Sequence, residues 1–303
     1  MLNVYEQVDA NKRRSAIIII LFVVFIAAAV YVFSKVFGFG LAGTGIALIL
    51  AGLISFFGYW FSDKIITTIS GARPANRQQD FLFYTAVENL CIVAQIPKPK
   101  LYVIEDTAPN AFAAGRDPEH SIVCATTGLL QKLNRTQLEG VVGHELSHIK
   151  NFDTRLMSIV TILVGTITLL ADWFLRATYF GGRREREDRE SGQLQVILFV
   201  VGIILALLSP LIAQLIQLAI SRRREFLADA SSALLTRQPE GLVQALEIIS
   251  QDKEPLEAAN KATAHLYITN PLKNVHQGVG LFASLFNTHP PVQERIKALK
   301  SMT

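Results

Sequence analysis

The apolar positions of this chain follow two patterns. Four long runs are apolar almost throughout. Between them lie shorter stretches where apolar and polar residues recur at helix or strand spacing. Ser15 to Phe33 is nineteen residues without a charge, and Gly38 to Phe61 is a second uncharged run. Leu156 to Leu175 is broken only by Asp172, and Leu194 to Ile220 contains Pro210, Gln214 and Gln217. As a helix, each is long enough to cross a hydrocarbon core of about 30 Å. They predict two membrane hairpins, 1–61 and 156–220, the second carrying a charged loop from Gly181 to Gly192. A basic leader precedes the first run, as in a signal peptide. No Ala-x-Ala-like site follows, and the second run arrives at once, so an anchor is expected.

The remaining segments, 62–155 and 221–303, predict one α+β domain. Gln79 to Gln95 reads as a helix with Phe81, Ala86, Val87, Leu90 and Ala94 on one side, stopped by Pro97 and Pro99. Leu101 to Ile104 and Ile122 to Ala125 read as short strands, with Asn110 to Ala114 between them. A further helix is predicted up to about Asp153. Thr136-x-x-Glu139 reads as its capping box, and Leu138, Val141, Val142, Leu146 and Ile149 form its apolar stripe. Gly140 and Gly143 are poor helix formers, so their place in this helix predicts a close neighbour. The stretch around Glu225 also favours a helix.

Composition agrees with the long runs: half of the residues are apolar, and the mean hydropathy is +0.34. The net charge of +4 reads as membrane topology rather than nucleic-acid binding. Lys12, Arg13 and Arg14 precede the first run, Lys64, Arg73 and Arg77 follow the second, and Arg222 to Arg224 follow the fourth. The positive-inside rule then places the N-terminus and 62–155 in the cytosol. The Arg-rich loop between the third and fourth runs conflicts with a simple count, so whether 156–220 crosses fully stays open. Cys91 and Cys124 are expected reduced and serve packing.

The chemistry lies in His144-Glu145-x-x-His148. On a helix, positions i and i+4 share a face, so both histidines can hold one metal ion, and Glu145 lies beside the first. A catalytic zinc site needs a third protein ligand and an open position. Glu225 stands out, and Asp229, one turn on, is placed to orient a ligand from behind. By spacing alone, Glu225 reads equally as a partner of Arg222, Arg223 or Arg224.

Taken with Asp153, Glu225-x-x-x-Asp229, Asn110-Ala111-Phe112-Ala113 and His289-Pro290-Pro291-x-x-x-Arg295, the chain resembles the HtpX-type membrane zinc endopeptidases, relatives of the CAAX prenyl proteases. The resemblance covers nearly the whole chain. It implies a zincin-like protease domain and one Zn2+ per chain held by His144, His148 and Glu225. It also implies Glu145 as general base, and Asp153 and Asp229 as supports. His289 is then the candidate oxyanion donor, with Arg295 holding it or Asp229. From the residues alone, His289 reads equally as a helix-entry residue before Pro290. Asn110 to Ala113 is implied to be a sheet edge beside the cleft, where an extended peptide adds as a strand. His265 and His276 read as structural or surface residues, and His120 as solvated.

The implied function is cleavage of misfolded or damaged membrane proteins at the cytosolic face of a bacterial plasma membrane, by a multi-pass protein. Its partners are polypeptides and the bilayer, with other membrane quality-control proteases as candidates and no nucleic acid. A narrower processing protease is the alternative. A silent scaffold is disfavoured by the complete ligand and base set, and a zinc transporter by ligands that lie outside the apolar runs. The zinc helix runs into the third run and the Glu225 helix leaves the fourth, so both halves of the site are expected to be tethered at the membrane surface.

Overall fold

The computed structural model describes residues 4–36, 41–165, 222–259, 263–269, 271 and 290–302. Two long helices come first, α1 (Val4–Val36) and α2 (Leu41–Trp60), followed by α3 (Ser62–Ile69). The α+β domain then runs β1 (Arg73–Pro74), α4 (Phe81–Ala94), β2 (Lys100–Ile104), β3 (Ala111–Gly115), β4 (Ser121–Thr126), α5 (Thr127–Lys132) and α6 (Arg135–Lys150). A helix α7 is described over 153–165. After it come α8 (Arg222–Thr236), α9 (Pro239–Gln251) and α10 (Val292–Lys300).

The strands form one sheet in the order β1-β2-β4-β3. β2 and β4 are parallel, and the outer pairs are antiparallel. Every residue of β3 and β4 is buried, because helices and loops cover both faces. Val103, Ala111, Ala113, Val123 and Ala125 meet Phe83 and Leu90 of α4, Leu138 and Val142 of α6, and Leu242 of α9. The alternate residues Phe112, Ala114, Ile122 and Cys124 face Ile66, Met157, Leu256 and Tyr267. Side chains alternate across a strand, so one short sheet serves two cores. Cys91 and Cys124 are both buried in this packing.

α6 is the central helix, and its two glycines explain how it fits. A Cβ at Gly140 would lie 2.7 Å from the Leu242 backbone nitrogen, so α6 and α9 touch backbone to backbone. A Cβ at Gly143 would meet Ser232 Oγ of α8 at 2.8 Å. The helix start differs from the expected capping box. Asn134 is the N-cap, its side chain accepting from Gln137 N, while the Gln137 side chain accepts from Asn134 N. Asn is a strong N-cap, and it begins the helix two residues before Thr136. Glu139 instead pairs with Arg135 at 2.9 Å. The helix end differs too. α6 stops at Lys150, Phe152 adopts φ 59°, and Asp153 is the first described residue of α7.

Among the described residues, no helix is long and apolar enough to cross a membrane. The first two apolar runs fall in α1 and α2, where many side chains lie outside the described set. Half of the third run, all of the fourth, Asp172, the Gly181 to Gly192 loop, His276 and His289 also lie outside it.

Candidate metal centre

α6 carries His144 and His148 one turn apart, and α8 crosses it to bring up Glu225. All three are buried, and their ligating atoms lie within 4.8 Å of one another. His144 Nδ1 lies 2.8 Å from Asp229 Oδ1, and His148 Nδ1 lies 3.0 Å from Asp153 Oδ2. A carboxylate behind each ring fixes the tautomer: Nδ1–H donates outward and the Nε2 lone pair faces inward.

The two Nε2 atoms are 3.1 Å apart. Two lone pairs at that separation repel unless a metal ion, or in its place a proton on His148, lies between them. Glu225 completes the triangle, with Oε2 3.7 Å from His144 Nε2 and Oε1 3.5 Å from His148 Nε2. Zn–ligand bonds of about 2.0–2.2 Å at tetrahedral angles separate ligand atoms by about 3.3 Å. The donor set and its spacing therefore fit zinc.

A ring of charge supports this triangle. Arg295 grips Asp229 with both arms, Nε to Oδ2 at 2.8 Å and Nη2 to Oδ1 at 2.7 Å. Its Nη1 also donates to the Ile268 carbonyl. Burial raises the Asp229 pKa, but Arg295 and His144 outweigh it and hold this carboxyl down at about 2. Burial lowers His144 to about 4. At His148 burial also opposes charge, but Asp153 and Glu225 overcome it and raise the ring to about 9.

Glu145 is buried one residue after the first histidine. Burial drives its carboxyl up to about 7; nearby His148 works against this and Glu225 adds to it. The Ala113 backbone N–H contributes a hydrogen bond that favours its charged form. The helix thus places an acid–base group of near-neutral pKa against strand β3.

Asn110 directly precedes β3, which contains Ala111 to Ala113 and is the last strand of the sheet. All four residues are buried, however, and the outer side of the strand is engaged. Ile268 N donates to the Ala111 carbonyl at 2.9 Å, Asn110 Nδ2 to the Thr269 carbonyl at 3.2 Å, and Gly115 N to Ser158 Oγ at 2.8 Å. Tyr267 packs edge-on against Phe112 with centroids 5.0 Å apart. His265 is buried, with Nε2 3.2 Å from Thr161 Oγ1, and half-exposed His120 meets Asp117.

Two functional neighbours escape the sequence reading. Arg224 counts there as a topology charge and a candidate partner of Glu225, yet it is buried 3.5 Å from Asp153. Asn11 carries no motif, yet it is fully buried and bonds Asp153 Oδ1 at 2.7 Å across 142 residues of chain. Its one trace in the sequence is the spacing of Asn11, Ser15 and Ile18 on a single face of α1.

The comparisons with known proteins agree with this centre. The model of Peptidase family M48 matches residues 82–303. The Protease HtpX homolog of Caldanaerobacter subterraneus is 43% identical over 99% of this chain and 98% of its own length. That of Dictyoglomus thermophilum is 42% identical over 98% of this chain and 94% of its own, and that of Streptococcus uberis is 41% identical over 98% and 99%. The crystal structure of S. mikatae Ste24p is a weaker match, 15% identical with a TM-score of 0.47, covering 99% of this chain and 66% of that one. With the family model spanning its helices and ligands and with relatives above 40% identity along nearly its full length, the chain belongs to peptidase family M48, the zinc metalloproteases.

Proposed function

We propose that this metalloprotease is a membrane-bound endopeptidase that cleaves misfolded or damaged membrane proteins at the cytosolic face, with Glu145 as general base. The observation that carries the reading is the junction of three parts. These are the inward-facing His144, His148 and Glu225 donors, the Glu145 carboxyl on the same helix, and the Ala113 N–H that meets it from β3.

Zinc, when bound, supplies the Lewis acid that polarises the scissile carbonyl and acidifies water. Glu145 accepts the proton of the attacking water and delivers it to the leaving amine nitrogen. Its near-neutral pKa suits both halves of that transfer. Asp229 and Asp153 hold the two rings in one tautomer, and Arg295 keeps Asp229 charged. His289 is the proposed oxyanion donor. A substrate peptide lies along β3, where Asn110 to Ala113 supply backbone partners independent of side-chain sequence. Tyr267 to Thr269 covers that edge, so peptide binding requires this segment to swing away from Ala111.

Support for the membrane location comes from α1 and α2. Ile20, Leu21 and Val24 of the first, and Ile46, Ile49 and Phe56 of the second, are all exposed. An apolar surface of this extent on two adjacent helices suits lipid. The domain division 1–61, 62–155 with 221–303, and 156–220 belongs to the same proposal. The test is reconstitution in vesicles with a membrane protein in folded and in destabilised forms. Faster cleavage of the destabilised form, dependent on zinc, supports the reading. Cleavage confined to one short terminal sequence, whatever the folding state, favours the processing protease instead.

A further inference from the structure

We propose that Asn11 is a positioning residue of the metal centre, through which the first helix fixes the carboxylate behind a zinc ligand. The inference rests on the reading of Asp153 as the group that orients His148.

Asn11 lies on α1 at the start of the face that packs against α7, where Ile18 meets Leu156, Ile159, Val160 and Leu163. Its amide is fully buried among three elements of the site. Nδ2 donates to Asp153 Oδ1 at 2.7 Å and to the Asn151 carbonyl, just past the end of α6, at 2.9 Å. Oδ1 accepts from Arg224 Nη1 at 3.2 Å, and Arg224 directly precedes Glu225.

Asp153 therefore has a divided task. Oδ2 takes the His148 Nδ1 proton, while Oδ1 takes the amide of Asn11. Without the second bond Oδ1 keeps only the longer contact to Arg224 at 3.5 Å, and the carboxylate can rotate about its own side chain and loosen the plane of His148. Asn suits this place because one amide both donates and accepts. An acid here would face Asp153 with like charge, and a hydrocarbon would leave Asp153 Oδ1, the Asn151 carbonyl and Arg224 each short of a buried partner. The helix that enters the apolar runs is thereby bonded to the carboxylate behind His148 and to the residue before Glu225, so its placement can reach both of these side chains.

The experiment uses the full-length zinc-loaded protein in detergent. It compares Asn11→Ala, Asn11→Asp, Asp153→Asn, the N11D/D153N pair and, as a control on the exposed side of α1, Ala16→Ser. Two quantities are measured: the rate of zinc release to an excess of chelator, and the melting of the metal-free protein. Asn11→Ala is expected to release zinc roughly 10-fold faster, within the range found for partners of metal ligands, while Ala16→Ser matches wild type. Asn11→Asp keeps the size of the side chain, so packing is preserved if the alanine variant misfolds, and it should release zinc faster still. The N11D/D153N pair restores a donor facing an acceptor and should release zinc more slowly than Asn11→Asp alone. Zinc release within twofold of wild type in both Asn11 variants, with Asp153→Asn fast, overturns the inference and leaves the role of Asp153 intact. A silent Asp153→Asn overturns both. Metal-free melting restored in the N11D/D153N pair with zinc release no slower than in Asn11→Asp would make Asn11 a general structural residue and overturn the proposal as well.

Discussion

His144, His148 and Glu225 differ from ordinary buried polar residues in how their supports are arranged. Each histidine has a carboxylate on its outer nitrogen, and the inner nitrogens converge at 3.1 Å. Glu225→Ala removes a donor from that triangle and should lose zinc together with activity. Metal content equal to wild type after dialysis against a weak chelator would return Glu225 to the role of an arginine partner. Asp229→Asn leaves the ligands in place but weakens the hold on His144, so metal affinity should fall about 10- to 100-fold. It also takes the bidentate charged partner from buried Arg295, which keeps only the longer contact to Glu225 at 3.8 Å, so the cost should stay below the about 3–5 kcal/mol of a fully unpaired buried charge; a calorimetric melt should register it. At this scale the sequence is most legible where chemistry and helix period coincide. His144, Glu145 and His148 can be read from spacing alone. Glu225 cannot, because three arginines precede it, and only the family resemblance chooses between the two roles. Asp153 has a motif but no visible reason for it, since its reach back to His148 depends on the left-handed turn at Phe152.

Between elements, the close approach of α6 to α8 and α9 sets the ligand triangle. Gly140 faces backbone atoms of Leu242, which cannot move aside, whereas Gly143 faces the Ser232 hydroxyl, which can rotate at the cost of its hydrogen bond to the Gly140 carbonyl. Gly140→Ala should therefore cost about 1–3 kcal/mol as an overpacked contact, and Gly143→Ala less. Melting temperatures of the two variants order the effects, and an equal or reversed order would contradict this packing. Gly140 and Gly143 signal a close neighbour in the sequence, but not which helices supply it. The start of α6 misleads for a plain reason. Thr136 with Glu139 and Asn134 with Gln137 both satisfy the capping pattern two residues apart, and the stronger cap wins. The β strands are found by their apolar runs, yet their burial on both faces is not. It arises from Tyr267 and Leu256, which come from a part of the chain with no regular pattern.

For the whole molecule, the apolar runs predict two membrane hairpins, and the topology proposed from them has a direct test. If the N-terminus and 62–155 face the cytosol as proposed, a cysteine placed at exposed Gln78, in a background lacking Cys91 and Cys124, should resist an impermeant thiol reagent in intact cells and react after lysis. Labelling from outside would reverse the topology. The pH dependence is also a property of the assembled site. A carboxyl raised to about 7 is protonated below that value and cannot accept a proton, and a bound cation lowers it. The ratio kcat/KM should thus fall on the acid side from a midpoint at or below about pH 7, at constant zinc content. A profile flat down to pH 5 would deny Glu145 this role. The most direct test of the account is one paired measurement on purified Glu145→Gln: bound zinc per chain and the rate of casein cleavage, beside wild type. The account predicts one zinc per chain in both and cleavage in the wild type alone. Undiminished cleavage by the zinc-loaded variant would contradict it.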